Sequence, residues 1–259
     1  MGTSISHRSP ATPEWERVRK LYRQPNPQPG EVVAHIVWAL DPSTRQAMSH
    51  AGVTVCLDTA LAASRDVATS GLEELLEGAG LAGRGPAVLC YASALRDTAR
   101  RRLVEASASS RFAELALDGL AVTMMQAATG GQADLLENTT QKQAEAFIGS
   151  YFSEQCLHDL STTFLGCDLD RVFQYFVARD LSDFVGTEAL PSVGYASRLL
   201  DQVAAHCRGT VNKLELGAAE PLLQQATVAP VSERVPLVQG FLQDAISQAL
   251  GLLGSGGAT

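Results

Sequence analysis

The sequence lacks any long hydrophobic run. No stretch approaches the roughly 20 apolar residues that a membrane-spanning helix needs, and the start has no apolar segment followed by a small-residue cleavage site. We therefore expect a soluble cytoplasmic protein that does not bind a membrane. With 259 residues, 46% of them apolar, the chain is long enough to bury a substantial hydrophobic core.

Cysteine is scarce, and its pattern excludes a disulfide framework. The five cysteines are odd in number and widely scattered, without the paired CxxC spacing of a zinc site. We therefore expect free thiols, no metal and no cofactor. The cysteines are Cys56, Cys90, Cys156, Cys167 and Cys207.

Positively charged residues are fewer than negatively charged ones, and they are unevenly distributed along the chain. The net charge is −8, yet the first 23 residues carry five cations and two anions, which is +3 and leaves −11 for the remainder. An acidic body of this kind has no general attraction for nucleic acid, so we expect no direct nucleic-acid binding. The basic start either lies on the acidic body or meets an acidic partner, and the sequence leaves both open.

Strand-like alternation of useful length is absent, and helical spacing of apolar residues dominates instead. The segment 31–40 is predicted as a helix, although its β-branched run leaves a strand possible. The fold class predicted is all-α, with one irregular multi-helix domain. The predicted helices cover residues 13–22, 31–40, 53–76 with a break at Gly71, 86–105, 111–128, 132–149, 150–163, 167–186, 191–208 and 235–253.

Five prolines in the first 30 residues indicate an arm that precedes the helical body. Residues 1–30 are predicted to form an extended, proline-rich N-terminal arm with one short helix, 13–22, which Trp15 would anchor to the body. Prolines at alternate positions in QPNPQPG remove backbone donors and disfavour helix. The helical domain is expected over residues 31–254, and residues 255–259 form a flexible tail.

The clearest amphipathic pattern lies in residues 167–186. Apolar residues recur there at three- and four-residue steps and predict one face packed on the core. Two pairs of acids, Asp168/Asp170 and Asp180/Asp183, could do acid–base work in a cleft. Their positions instead predict a solvated polar side or helix caps.

Two further stretches look like anion sites but have simpler explanations. GAGLAG, residues 78–83, matches GxGxxG, yet a dinucleotide cradle follows a strand and this one follows a helix. A helix–helix turn with Gly80 or Gly83 as a left-handed cap is favoured. The cluster Arg100–Arg102 could bind phosphate, but three arginines at a helix end more often lie on the surface.

His158 and Asp159 suggest an alternative, a small helical metal-dependent hydrolase. Such enzymes use a His-Asp pair with further ligands, and Cys156 and Cys167 lie close in sequence. Both cysteines fall on an apolar face, and no second metal-binding motif accompanies the pair. No GxSxG, HExxH or Walker sequence is present, which favours a protein without catalytic activity. The other histidines are His7, His35, His50 and His206.

The first residues carry the remaining chemistry. Met-Gly-x-x-x-Ser fits N-myristoylation at Gly2, which would suit a host-directed effector, and a structureless start is the simpler alternative.

MGTSISHRSPATPEW, followed by an arm helix and a helical body containing GLEELLEGAGLAGRG, resembles the B component of the Qat anti-phage defence systems of bacteria. Those cassettes also encode an ATPase, a QueC-like nucleobase enzyme and a TatD-like nuclease. The resemblance implies a non-catalytic accessory subunit of a defence system, with these three proteins as its partners.

The resemblance also implies a role for the N-terminal tip. An extended tip of small residues can enter a partner's active site, where its backbone amides and hydroxyl groups form hydrogen bonds. The α-amine of Gly2, with a pKa of roughly 8, is a usable nucleophile for conjugation. The tip residues expected to be recognised or modified are Gly2, Thr3, Ser4, Ser6 and His7.

Overall fold

The computed structural model describes residues 10–132, 139–150 and 154–256, with the side chains of 154–156, 218 and 231 left out. These residues form helices and connecting turns, and no strand occurs among them. The predicted all-α fold class is confirmed. The α-helices are α1 (Pro13–Leu21), α2 (Pro29–Ala39), α3 (Pro42–Ala47), α4 (Ala51–Ser70), α5 (Leu72–Gly78), α6 (Ala87–Glu105), α7 (Arg111–Ala128), α8 (Gln141–Ser150), α9 (Glu154–Leu181), α10 (Val193–Val211), α11 (Glu220–Val228) and α12 (Val231–Ser255).

Local sequence explains where several helices begin. Asp41 caps α3 by accepting a 2.9 Å hydrogen bond from the backbone N–H of Thr44, and hydrogen bonds from Ser43 and Thr44 hold the pKa of this carboxyl well below its usual range. Ser110 caps α7 in the same way. Helix α2 begins at Pro29, inside the segment predicted as the arm, because proline at a first helical turn removes no intrahelical hydrogen bond.

Other helix boundaries differ from prediction. The two helices predicted over 150–163 and 167–186 are one 28-residue helix, α9. Gly166 favours a break there, but its Cα faces the aliphatic part of Arg208 on α10, and this packing outweighs the local preference. Helices α3 and α11 were not predicted, and α12 begins four residues before the predicted 235.

Helix α9 lies at the centre of the fold. It packs against α7 and α10, α7 also contacts α4 and α6, and α12 contacts α2, α4 and α11. The α7 and α9 backbones approach closely because α7 has Gly119 at the crossing. A Cβ at Gly119 would lie 3.2 Å from the backbone nitrogen of Asp168.

This central position makes the prediction for the α9 acids wrong. Asp168 and Asp170 are 0% and 3% exposed, and Asp180 is also buried. Asp183, beyond the end of α9, is exposed. The predicted apolar face is buried, but α7 and α10 cover much of the opposite side as well, so the polar positions are not solvated.

A buried ion cluster joins three helices that are distant in sequence. Asp58 of α4 is 0% exposed, and its carboxylate accepts hydrogen bonds from Arg102 of α6 and Arg234 of α12. Arg102 also donates a 2.7 Å hydrogen bond to the Thr59 hydroxyl, which itself donates to the Val55 carbonyl. Arg102 was predicted to lie on the surface; its side chain is 26% exposed, and its guanidinium reaches inward because the buried Asp58 pairs with it.

Replacing the buried carboxylate should destabilise the fold strongly. Asp58→Asn would leave two guanidinium groups without their counter-charge, and we expect it to lower the free energy of unfolding by about 3–5 kcal/mol in urea denaturation. The matched control is Arg96→Ala, which breaks an ion pair whose two side chains are 41% and 47% exposed. It should cost about 1 kcal/mol or less. Equal losses in both variants would contradict a structural role for the Asp58 cluster.

Candidate functional site

The candidate site is the surface around the start of α1, which follows the predicted tip residues in the sequence. Helix α1 starts at Pro13, and Thr12 caps it by accepting a 3.4 Å hydrogen bond from the backbone N–H of Trp15. One face of α1 is buried in the common core, while Pro10 and Ala11 are exposed. The chain before Pro10 therefore departs from a helix that is fixed to the body.

Trp15 makes the main side-chain contact between α1 and α9. It is 4% exposed, and its ring lies 5.7 Å from that of Phe176 between centroids. The guanidinium of Arg179 lies 4.9 Å from the Trp15 ring centroid and 5.3 Å from that of Phe176. This cation–π arrangement stabilises the position of the indole, in addition to the stabilisation that comes from the apolar area it buries.

Ionic contacts also hold the arm on the body. Arg19 Nε lies 3.5 Å from the carboxylate of the buried Asp180. Arg19 also donates to the Pro10 carbonyl at 3.4 Å and pairs with Glu16 on its own helix. The sequence left open whether the basic start lies on the acidic body or meets an acidic partner. Arg19 lies on the body, because it pairs with Asp180.

An open cavity of about 530 Å³ adjoins Ala11, just before α1. Next to it, Tyr22 is fully buried against Phe184, and burial raises the pKa of its hydroxyl, with the charge of Asp180 adding to the effect. The wall of the cavity carries both cationic and anionic side chains. Its lining residues are Ala11, Glu16, Arg19, Arg23, Asp180, Asp183 and Phe184.

The predicted tip residues Gly2, Thr3, Ser4, Ser6 and His7 lie outside the described part of the chain. The predicted anchor, Trp15, lies at the junction just described. The sequence did not predict Phe176 and Arg179 as partners of Trp15, or Asp180 as the partner of Arg19, since these residues follow Trp15 by more than 160 positions. The one local signal was the aromatic and arginine spacing near the end of α9, which was interpreted only as a helix face.

The alternative metal site is not assembled in the described residues. His158 is partly exposed, and its Nδ1 lies 4.0 Å from the carboxylate of Glu220. Asp159 points into solvent. Among the described positions no three histidine, cysteine or acidic side chains come together to hold a metal ion. Cys167 is buried, and the side chain of Cys156 lies outside the described set.

The GxGxxG match is a turn between α5 and α6. Gly80 and Gly83 both have left-handed φ angles, +67° and +70°, and a Cβ added at either would meet nothing within 4 Å. Their backbone conformation therefore favours glycine, as is typical of a helix–helix turn.

Asp168 is an unusual buried acid. Among the described residues neither of its carboxylate oxygens has a hydrogen-bond partner. Burial raises its pKa to about 8, with a smaller contribution from Asp170. Asp170 differs because Arg208 pairs with one of its oxygens. This pairing offsets part of the rise in pKa that burial causes. Asp168 is therefore mainly uncharged at neutral pH.

Removing the Trp15 side chain should destabilise the fold. Trp15→Ala creates a cavity against Phe176 and Arg179, and we expect a loss of about 3–5 kcal/mol in the free energy of unfolding. The matched control is Trp38→Ala, since Trp38 is 48% exposed and its loss should cost about 1 kcal/mol or less. Urea denaturation gives both values. Equal stabilities of Trp15→Ala and wild type would show that the indole does not anchor α1.

Asp168 should make stability depend on pH. Its folded pKa of about 8 exceeds the ordinary value of 3.8, so between these values the folded state binds the extra proton and stability falls as pH rises. Compared with wild type, Asp168→Asn should gain stability with increasing pH, by at most about 1.4 kcal/mol per pH unit. Urea denaturation between about pH 5 and about pH 8 measures this difference. Asp159→Asn, exposed on the same helix, should show no such gain; a constant offset for Asp168→Asn would contradict the expectation.

Comparison with known proteins gives no match: no family model, no curated protein and no solved structure is similar to this chain. Within the described ranges, no helix combines the length and apolar character needed to cross a bilayer. The proposals below therefore rest on the residues of this chain and on the resemblance of its N-terminus.

Proposed function

We propose that this protein is a non-catalytic accessory subunit of a bacterial anti-phage defence system. It acts through protein–protein contacts, and its N-terminal tip is recognised or modified by a QueC-like partner enzyme. The ATPase and the TatD-like nuclease of the same cassette are the other proposed partners. The cytoplasm is the proposed location.

The observation that carries this proposal is the fixed origin of the tip. Trp15 and Arg19 hold α1 on α9, Thr12 caps the start of α1, and Pro10 and Ala11 just before it are exposed. A short peptide tethered to a rigid base occupies a small volume around that base. A partner that contacts the body near α1 would thus find the tip at a high local concentration.

The composition of the tip supports recognition in an extended form. Gly2, Thr3, Ser4 and Ser6 are small and uncharged, so their backbone amides can approach another protein closely. The three hydroxyl groups add donors and acceptors without bulk. Proline at position 10 then ends the segment before α1.

The surface at the root of the tip supports a docked partner. The 530 Å³ cavity there presents Arg23, which is exposed, beside Asp183, which is also exposed. A polar rim of mixed charge is typical of non-obligate protein interfaces and selects a partner with the complementary pattern.

Changing the second residue should abolish the function without affecting the fold. Protein co-expressed with its genomic neighbours is purified, its intact mass is compared with that of the chain lacking Met1, and protection against phage is measured. We expect an added mass on the wild type. Gly2→Pro should remove both the added mass and the protection, because the N-terminal amine of proline is a secondary amine constrained within a ring. The melting temperature should stay unchanged.

The matched control is Glu14→Gln, an exposed position on α1. It should retain both the added mass and the protection. Full protection by Gly2→Pro would contradict recognition of the tip. An unmodified Gly2 in a protective system would contradict its modification.

A further inference from the structure

A separate cavity of about 510 Å³ is lined by four arginines from three helices. Arg65 comes from α4, Arg101 and Arg102 come from α6, and Arg234 comes from α12. This volume lies within the range of small-molecule sites, roughly 300–1,000 Å³. The arginines therefore surround a space large enough for a ligand.

The charge around this cavity is positive, whereas the net charge of the protein is negative. Asp66 is the acid in its lining, and Asp58 lies beneath it, so the four arginines leave an excess of two positive charges. The chain as a whole has a net charge of −8. A local positive excess in an acidic protein attracts anions to this point.

Asp58 positions two of the guanidinium groups before any ligand arrives. Arg234 is 4% exposed and uses Nε and Nη2 toward Asp58, and its Nη1 has no hydrogen-bond partner among the described residues. Arg102 is held by Asp58 and Thr59. Since these side chains are already ordered, binding an anion costs little further conformational entropy.

The other two arginines are less constrained. Arg101 donates a 3.2 Å hydrogen bond to the Thr98 hydroxyl. Within the part of the chain that the structure describes, the guanidinium of Arg65 forms no hydrogen bond or ion pair. Guanidinium groups match the oxygen geometry of phosphate with paired donors, so four of them favour phosphate over a compact point charge.

Part of the cavity wall is apolar. Ala63, Leu75, Ala94 and Leu95 contribute to it. A bare inorganic ion would leave this wall unused, whereas a phosphate ester with an uncharged body would cover it. We propose that this cavity binds a small organic phosphate, with the phosphate group at Arg65, Arg101, Arg102 and Arg234 and the uncharged body against the alanine and leucine side chains.

The site adds to the sequence interpretation of Arg100–Arg102, of which Arg100 and Arg101 are exposed as predicted. Those three arginines were predicted to be surface residues at a helix end. Arg101 and Arg102 line the cavity, and only Arg100 turns away, with its guanidinium 3.5 Å from Glu114. The remaining two arginines of the site are Arg65, which lies 36 positions before Arg101, and Arg234, which lies 133 positions after it.

Calorimetric titration of the full-length protein tests this proposal. The probes are AMP and glucose 6-phosphate, which carry one phosphate on an uncharged body, together with adenosine, glucose and inorganic phosphate. We expect at least one of the two esters to bind at least about tenfold more tightly than its phosphate-free counterpart and than inorganic phosphate. The double variant Arg65→Gln/Arg101→Gln should weaken that binding by about tenfold or more.

Arg65 and Arg101 are chosen because neither contacts Asp58, so the fold should survive their replacement, and the melting temperature checks this. The matched control is Arg84→Gln/Arg198→Gln, which removes the same charge outside the cavity lining and should bind like wild type. The proposal is overturned if neither ester binds, if inorganic phosphate or the phosphate-free compounds bind as tightly, or if both double variants weaken binding equally. None of these outcomes bears on the N-terminal tip, so this site and the proposed function are tested independently.

Discussion

The ion cluster at Asp58 is the interaction on which the arrangement of this protein depends most. It ties α4, α6 and α12 together through one buried carboxylate and two arginines. Burying the charges of Asp58 and Arg234 is costly unless each finds its partner, and here both carboxylate oxygens are paired. The cluster also fixes Arg102 and Arg234 at the wall of the 510 Å³ cavity, so the same interaction that orders the helices orders the proposed phosphate site.

The central helix α9 connects the core with the N-terminal arm. Its middle carries the unpaired Asp168 against α7, where Gly119 allows the two backbones to approach. Its last turns carry Phe176, Arg179 and Asp180, which hold Trp15 and Arg19 of α1. The arm is therefore part of the packed structure from Thr12 onward.

The sequence predicted helices well where local patterns are strong and failed where packing decides. Helix α7 was predicted at its observed bounds, because Ser110 caps its start and apolar residues repeat through it. The break expected near Gly166 does not occur, since α10 supports α9 there. Asp168, Asp170 and Asp180 were predicted to be solvated from the pattern of one helix, which contains no information about the helices around it. Trp15 could be named from the sequence, but its contacts with Arg179 and Phe176 could not.

By itself, the sequence determined the all-α class, the apolar face of α9, the turn at Gly80 and Gly83, and the unusual composition of the first ten residues. These follow from spacing, capping and backbone freedom, which act over a few residues. Only the tertiary structure decided that Asp58 meets Arg102 and Arg234, that Arg65 and Arg101 face one cavity, and that Trp15 lies on α9. Those contacts join positions 36 to 176 residues apart, and their energies come from burial and charge in a shared space, which no local pattern encodes.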